Sequence, residues 1–293
     1  MPFKFMHDRS GSRRLAASVI AVGFTVLCGA FAGTASAAVP GLQLVTATSA
    51  DSSFFVKQAI ASCPAGKKLI GTGGRLTGAS GQAVIDDLTP NSALTETMVI
   101  ATEDDDGTTA TWSVTAFAIC ANPVPGLQLV TASLASNSVT GTGVTAACPA
   151  GKQLIGTGGE LTDAAGEVVM DAITPGSTLT SVWVKGYEDD TGAAANWSVT
   201  AYAICANPLP GLQRVTATQV SQSAFSSGAN AVCPPGKKVI GTGGNFSGGF
   251  GQVVMDDIAP DPTLTSLSVI GYEDDNGTAA NWTTRAYAIC ATA

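Results

Sequence analysis

The chain has 293 residues, of which 12% are charged and 45% hydrophobic, with 34 glycines and a formal net charge of −8. Soluble proteins usually carry about a quarter charged residues, so this solvent face must be built from neutral Ser, Thr, Asn and Gly. A strongly basic nucleic-acid binder and a charge-dense disordered tail are both excluded.

Residues 1–37 read as a secretory signal peptide. Lys4, Arg9, Arg13 and Arg14 precede an apolar run from Leu15 to Ala32, and Ala35-Ser36-Ala37 supplies a small-residue cleavage site before Ala38. An uncleaved anchor is the competing reading, since the apolar run is almost long enough to span a bilayer. The small-residue site favours cleavage and leaves no membrane segment afterwards. Bulky Leu27 before Cys28 argues against lipid attachment. Cleavage takes away four basic residues, one acid, the chain's single histidine (His7) and Cys28, so the net charge becomes −11 and six cysteines remain.

The rest of the chain repeats every 85 residues. Pro40-Gly41-Leu42-Gln43 returns at Pro125 and Pro210, and Cys63, Cys148 and Cys233 each open a Cys-Pro-Ala/Pro-Gly-Lys stretch. A Gly-Thr-Gly-Gly follows at Gly71, Gly156 and Gly241, and a Trp-to-Cys segment ends each copy at Cys120, Cys205 and Cys290. The copies span 38–123, 124–208 and 209–293. A unit with two cysteines in matching places bonds most simply within itself, which predicts Cys63–Cys120, Cys148–Cys205 and Cys233–Cys290. Closing loops of that length contributes roughly 4 kcal/mol each in the chain-entropy model. Such support matters to a unit this small.

Within a copy the period is two. Trp197, Val199, Ala201, Ala203 and Cys205 share one strand face. Further strands are predicted over 127–132, 139–147, 153–157, 167–173 and 179–188, with no amphipathic helix, which makes the chain all-β. The joints Asn122-Pro123-Val124-Pro125-Gly126 and Asn207-Pro208-Leu209-Pro210-Gly211 are short and stiff. The favoured arrangement is three small β-sandwiches in a row, each with its own core. Its rival is one pseudo-threefold β-prism whose copies share a core.

The stretch from Cys148 to Gly159, with Asn196-Trp197-Ser198-Val199-Thr200-Ala201-Tyr202-Ala203-Ile204-Cys205 downstream, resembles repeats of exported actinobacterial proteins. The likeness covers roughly residues 40–293, departing at Thr284 and Arg285. It implies an extracellular location and these repeat boundaries, and carries over no catalytic residue.

Chemistry is constrained mainly by what is missing. Without histidine there is no Ser-His-Asp or Cys-His arrangement and no usual zinc set, and paired cysteines offer no thiolate. The Gly-Thr-Gly-Gly segments lack a following helix and read as a bulge or a close approach of sheets, not a phosphate cradle. The best metal candidates are the acidic turns (Glu103 and Asp104, Glu188 and Asp189, Glu273 and Asp274) with the strand acids Asp86, Asp171 and Asp256. Together these could offer oxygens to Ca²⁺. The alternative reading is plain Asp-Gly or Asn-Gly turns. Trp112, Trp197 and Trp282 read as core. Trp183, Tyr187 and Tyr272 have the opposite parity and are candidate ligand-binding rings. Lys67, Lys152 and Lys237 read as solvated turn lysines.

The expected function is that of a secreted, non-enzymatic repeat protein. It would be structural, or a multivalent module for cell-envelope polysaccharide or a surface protein, with no nucleic-acid partner and no cofactor beyond a possible Ca²⁺. The alternatives are a carboxylate-based extracellular glycan hydrolase using Asp171 or Glu188, and a Ca²⁺-stabilised structural protein.

Overall fold

A computed structural model describes residues 38–220 and 223–293; the segment read as a signal peptide lies outside the described residues. Alternating apolar positions give nineteen strands, with no helix among the described residues. The first copy contains β1 (Gln43–Thr48), β2 (Val56–Ser62), β3 (Lys68–Thr77), β4 (Ala83–Pro90), β5 (Glu96–Glu103) and β6 (Ser113–Ala121). The second contains β7 (Gln128–Asn137), β8 (Gly141–Ala147), β9 (Gln153–Thr162), β10 (Val168–Pro175), β11 (Ser181–Glu188) and β12 (Trp197–Ala206). In the third, β13 (Gln213–Val220) and β14 (Ser226–Val232) are followed by a divided third strand, β15 (Lys237–Gly241) and β16 (Gly244–Ser247). Then come β17 (Val253–Pro260), β18 (Ser266–Glu273) and β19 (Thr283–Thr292).

Each copy is sandwich-like. In the first, β1-β6-β3 forms one half-sheet and β2-β5-β4 the other. The Cys63–Cys120 bridge staples them, as Cys148–Cys205 and Cys233–Cys290 do in the other copies, so the expected pairing is the one formed. Each half-sheet then continues into a neighbouring copy. β3 pairs with β17, β9 with β4, and β16 with β10, giving three sheets that each draw on two copies. Most buried apolar residues of all three copies belong to one continuous cluster. The two arrangements drawn from the sequence are therefore not exclusive. The copies are stapled sandwiches in form, and their cores run into one another.

The Gly-Thr-Gly-Gly segments explain how the copies meet. Gly156 lies so close to the first copy that a Cβ there would stand 2.0 Å from the Ile70 carbonyl oxygen. Gly71 faces Ile240 O at 2.3 Å and Gly241 faces Ile155 O at 2.2 Å in the same sense. No larger residue fits, and the register shifts between Leu69 and Gly71 and between Val239 and Gly241 mark the bulges that glycine permits there. The adjacent threonines close a ring. Thr72 Oγ1 donates to Thr157 O (2.7 Å), Thr157 Oγ1 to Thr242 O (2.6 Å) and Thr242 Oγ1 to Thr72 O (2.7 Å), all three fully buried. These bonds tie each copy to the next through buried groups.

Lys152 and Lys237 are not simply solvated. Lys152 Nζ donates to Gly126 O and Gln128 Oε1 (both 2.6 Å), and Lys237 Nζ to Gly211 O (2.6 Å) and Gln213 Oε1 (2.9 Å). Lys67 likewise donates to Gly41 O. Each lysine holds the Pro-Gly turn that opens its copy.

Candidate functional site: an aromatic groove and an acidic axis

Strand β11 turns Trp183, Lys185 and Tyr187 outward at alternate positions, opposite Thr145, Gly143 and Gly141 of β8. The two glycines let the rings lie back on the β8 backbone: a Cβ on Gly143 would stand 2.6 Å from Trp183 Nε1, and one on Gly141 2.8 Å from a Tyr187 ring carbon. The opposite wall comes from the third copy, with Asn245, Ser247 and Phe250 facing across a groove of about 270 Å³. Tyr187 and Phe250 meet edge to face, centroids 6.3 Å apart. Trp183 is 38% exposed and Phe250 63%.

Polar groups stand among these rings. Lys185 Nζ lies 4.4 Å from the Tyr187 ring centroid and 3.0 Å from Asp171 Oδ2. Burial raises the Asp171 carboxyl, and the Lys185 charge partly offsets this. Asn245 Oδ1 accepts from Arg285 Nη1 at 3.1 Å, which orients its amide and leaves the NH₂ as a donor. The groove thus combines flat apolar surfaces with a carboxylate, an ammonium and an amide.

The corresponding sheet faces differ chemically. Where β11 has Trp183, Lys185 and Tyr187, β5 has Met98, Ile100 and Thr102, and β18 has Ser268, Ile270 and Tyr272. The junctions between copies differ too. Arg75 pairs with Asp257 at 3.0 Å, Ala172 faces Asn245, and Asp87 faces Glu160, two acids in register. Burial, then Glu160 and Asp86, push Asp87 up to about 7. Tyr202 Oη donates to Glu160 Oε2. One skeleton therefore carries three unlike surfaces.

The structure gives the residues proposed for a metal three different settings. Glu103, Glu188 and Glu273 are committed to the core, each accepting from the indole of Trp112, Trp197 or Trp282 at 2.7–2.9 Å. The Asp104, Asp189 and Asp274 Oδ1 atoms accept the amides of Gly107, Gly192 and Gly277 (2.8–3.0 Å), closing the turns. Asp86, Asp171 and Asp256 lie elsewhere, with different solutions. Asp86 accepts from Thr102 and is raised by burial to about 7. Asp171 has Lys185. Asp256 is raised to about 8 by burial and Asp257, partly offset by Arg75. Among the described residues no three acidic side chains close around a common point as in a formed metal centre.

Of the candidate rings, Trp183 and Tyr187 come together, while Tyr272 sits in another sheet against Phe225, centroids 5.5 Å apart. Phe250 and Asn245 were not legible as site residues. Gly248-Gly249-Phe250-Gly251 reads as a turn, and only the pairing of β16 with β10 brings it to Trp183. A scan against protein-family models and a search of curated proteins each found no match for the chain.

Proposed function

We propose that this is an exported, non-enzymatic protein that binds polysaccharide at the cell exterior through the groove between its second and third copies. The observation that carries the reading is the combination of Trp183, Tyr187 and Phe250 with the Asp171–Lys185 pair and the Asn245 amide. Aromatic rings suit the C–H faces of sugar rings, while an acceptor and donors in fixed places suit their hydroxyls. Three disulfides are consistent with an oxidising exterior, and the resemblance to exported repeats points the same way. The hydrolase reading is weaker, because Glu188 is held by Trp197 and Asp171 by Lys185.

The chain supplies its own reporter. Trp112, Trp197 and Trp282 are buried, so Trp183 is the single tryptophan at the surface. Titration with neutral and acidic soluble polysaccharides should shift or quench its fluorescence saturably. Trp183→Ala should weaken retention in affinity electrophoresis at least about tenfold, a loss of about 1.4 kcal/mol, without lowering the melting temperature. If no polysaccharide alters the emission or retards the protein, the reading is wrong.

A further inference from the structure

We infer that the three acidic turns together form a single divalent-cation site on the pseudo-threefold axis, for an oxygen-seeking ion of the Ca²⁺ class. The sequence shows three separate acidic turns; the fold gathers them. Asp104, Asp105, Asp189, Asp190, Asp274 and Asp275 line one shallow depression, floored by Val84, Val169 and Val254, which pack together as a small cluster of their own.

The turns are fixed against one another. A Cβ on Gly81 would meet Glu273 O at 2.2 Å, one on Gly166 Glu103 O at 2.2 Å, and one on Gly251 Glu188 O at 2.0 Å, so each copy presses on the acidic turn of the one before it. Asn276 Nδ2 reaches Asp190 Oδ1 across copies at 3.2 Å.

Asp104 supplies the second, independent observation. It is only 6% exposed and lines the depression, and its Oδ2 has no hydrogen-bond partner although Oδ1 is used by the turn. A buried carboxylate oxygen without a donor is costly, and a cation relieves that cost. The ion pairs among the described residues, Arg75–Asp257 and Lys185–Asp171, both lie elsewhere. The donor set is all oxygen, with neither imidazole nor free thiol, which selects a hard cation. Because the carboxylates are not closed up around one point, the ion keeps part of its water shell, as hard divalent ions readily do. This site is separate from the groove and stands or falls without it.

The test uses the secreted chain stripped of divalent ions and titrated with CaCl₂ alone by calorimetry. Tb³⁺ luminescence sensitised by the tryptophans is the second readout. One ion per chain is expected, with an affinity near the roughly 10⁻⁴–10⁻³ M of extracellular calcium modules, together with a melting temperature that rises with Ca²⁺. Asp104→Asn keeps the turn acceptor and should weaken binding at least tenfold. Asp105→Asn, at an exposed position, serves if the first variant misfolds. Absence of binding, three ions per chain, or unchanged binding in both variants would overturn the inference.

Discussion

Gly156→Ala is expected to destabilise the protein by about 3 kcal/mol or more, because the new methyl has no space to enter. Its nearest neighbour would be Ile70 O at 2.0 Å, a backbone atom of another copy, with Gly71 Cα at 3.1 Å behind it. Neither can rotate away, so two copies must separate, straining the ring of threonine hydrogen bonds beside them. For a body of this size the melting temperature should fall by about 10 °C. Gly176→Ala is the control. Its Cβ would stand 3.2 Å from the Ser181 hydroxyl, which can rotate, and 3.3 Å from Ser181 O, which needs to give by only a few tenths of an ångström, so it should cost about 1 kcal/mol. Equal melting temperatures for the two variants would mean that the copies do not meet at the Gly-Thr-Gly-Gly segments as described.

Acid should stabilise this protein over a range in which many proteins weaken. Asp86 and Asp87 are pushed up to about 7 and Asp256 to about 8, mainly by burial, from an unfolded value of 3.8. The folded state therefore holds these protons more tightly than the unfolded chain. The resulting stability is complete below about pH 4 and is lost as pH rises through 7 and 8. A carboxyl moved from 3.8 to about 7 contributes about 4 kcal/mol across that interval. Asp86 and Asp87 repel one another, so the contributions do not add. A net gain of about that size corresponds to a melting temperature about 10 °C higher at pH 5 than at pH 8.

Below pH 4 the trend should turn. Burial alone would raise Asp261, but the Thr263 hydroxyl and the amides of Ser266, Thr265 and Thr263 outweigh it and hold the carboxyl at about 2. Its stabilisation is present above 3.8 and lost as pH falls towards 2. Thermal melts in chelator between pH 3 and 9 check both limbs, and Asp86→Asn should flatten the upper one. A melting temperature that is level or rising from pH 5 to 8 would show these acids to be solvated and ionised.

Much of the skeleton was legible in the sequence because it is local or strictly repeated. The Trp197-to-Cys205 alternation reads directly as a half-buried strand, and cysteines in matching places have one simple pairing. The glycines at 71, 156 and 241 signalled a close approach, though not to what. Sheet continuity was not legible, because β9 shows the same periodicity whether its free edge meets water or β4. The acidic residues were only partly legible for a related reason. Glu103 and Asp104 are neighbours in the chain, yet one faces an indole and the other the axis. A signal for the first existed: Glu103, Glu188 and Glu273 each precede a core tryptophan by nine residues, and a buried indole N–H needs an acceptor. Nothing comparable marked Phe250, whose place beside Tyr187 arises from the third dimension alone.

Scanning calorimetry of residues 38–293 asks most directly whether three stapled copies behave as one body. Sheets that cross every boundary and a common core require a single transition, with calorimetric and van't Hoff enthalpies in a ratio of about one. Three resolvable transitions, or a ratio near three, would mean that each copy melts on its own and that the shared core described here does not exist.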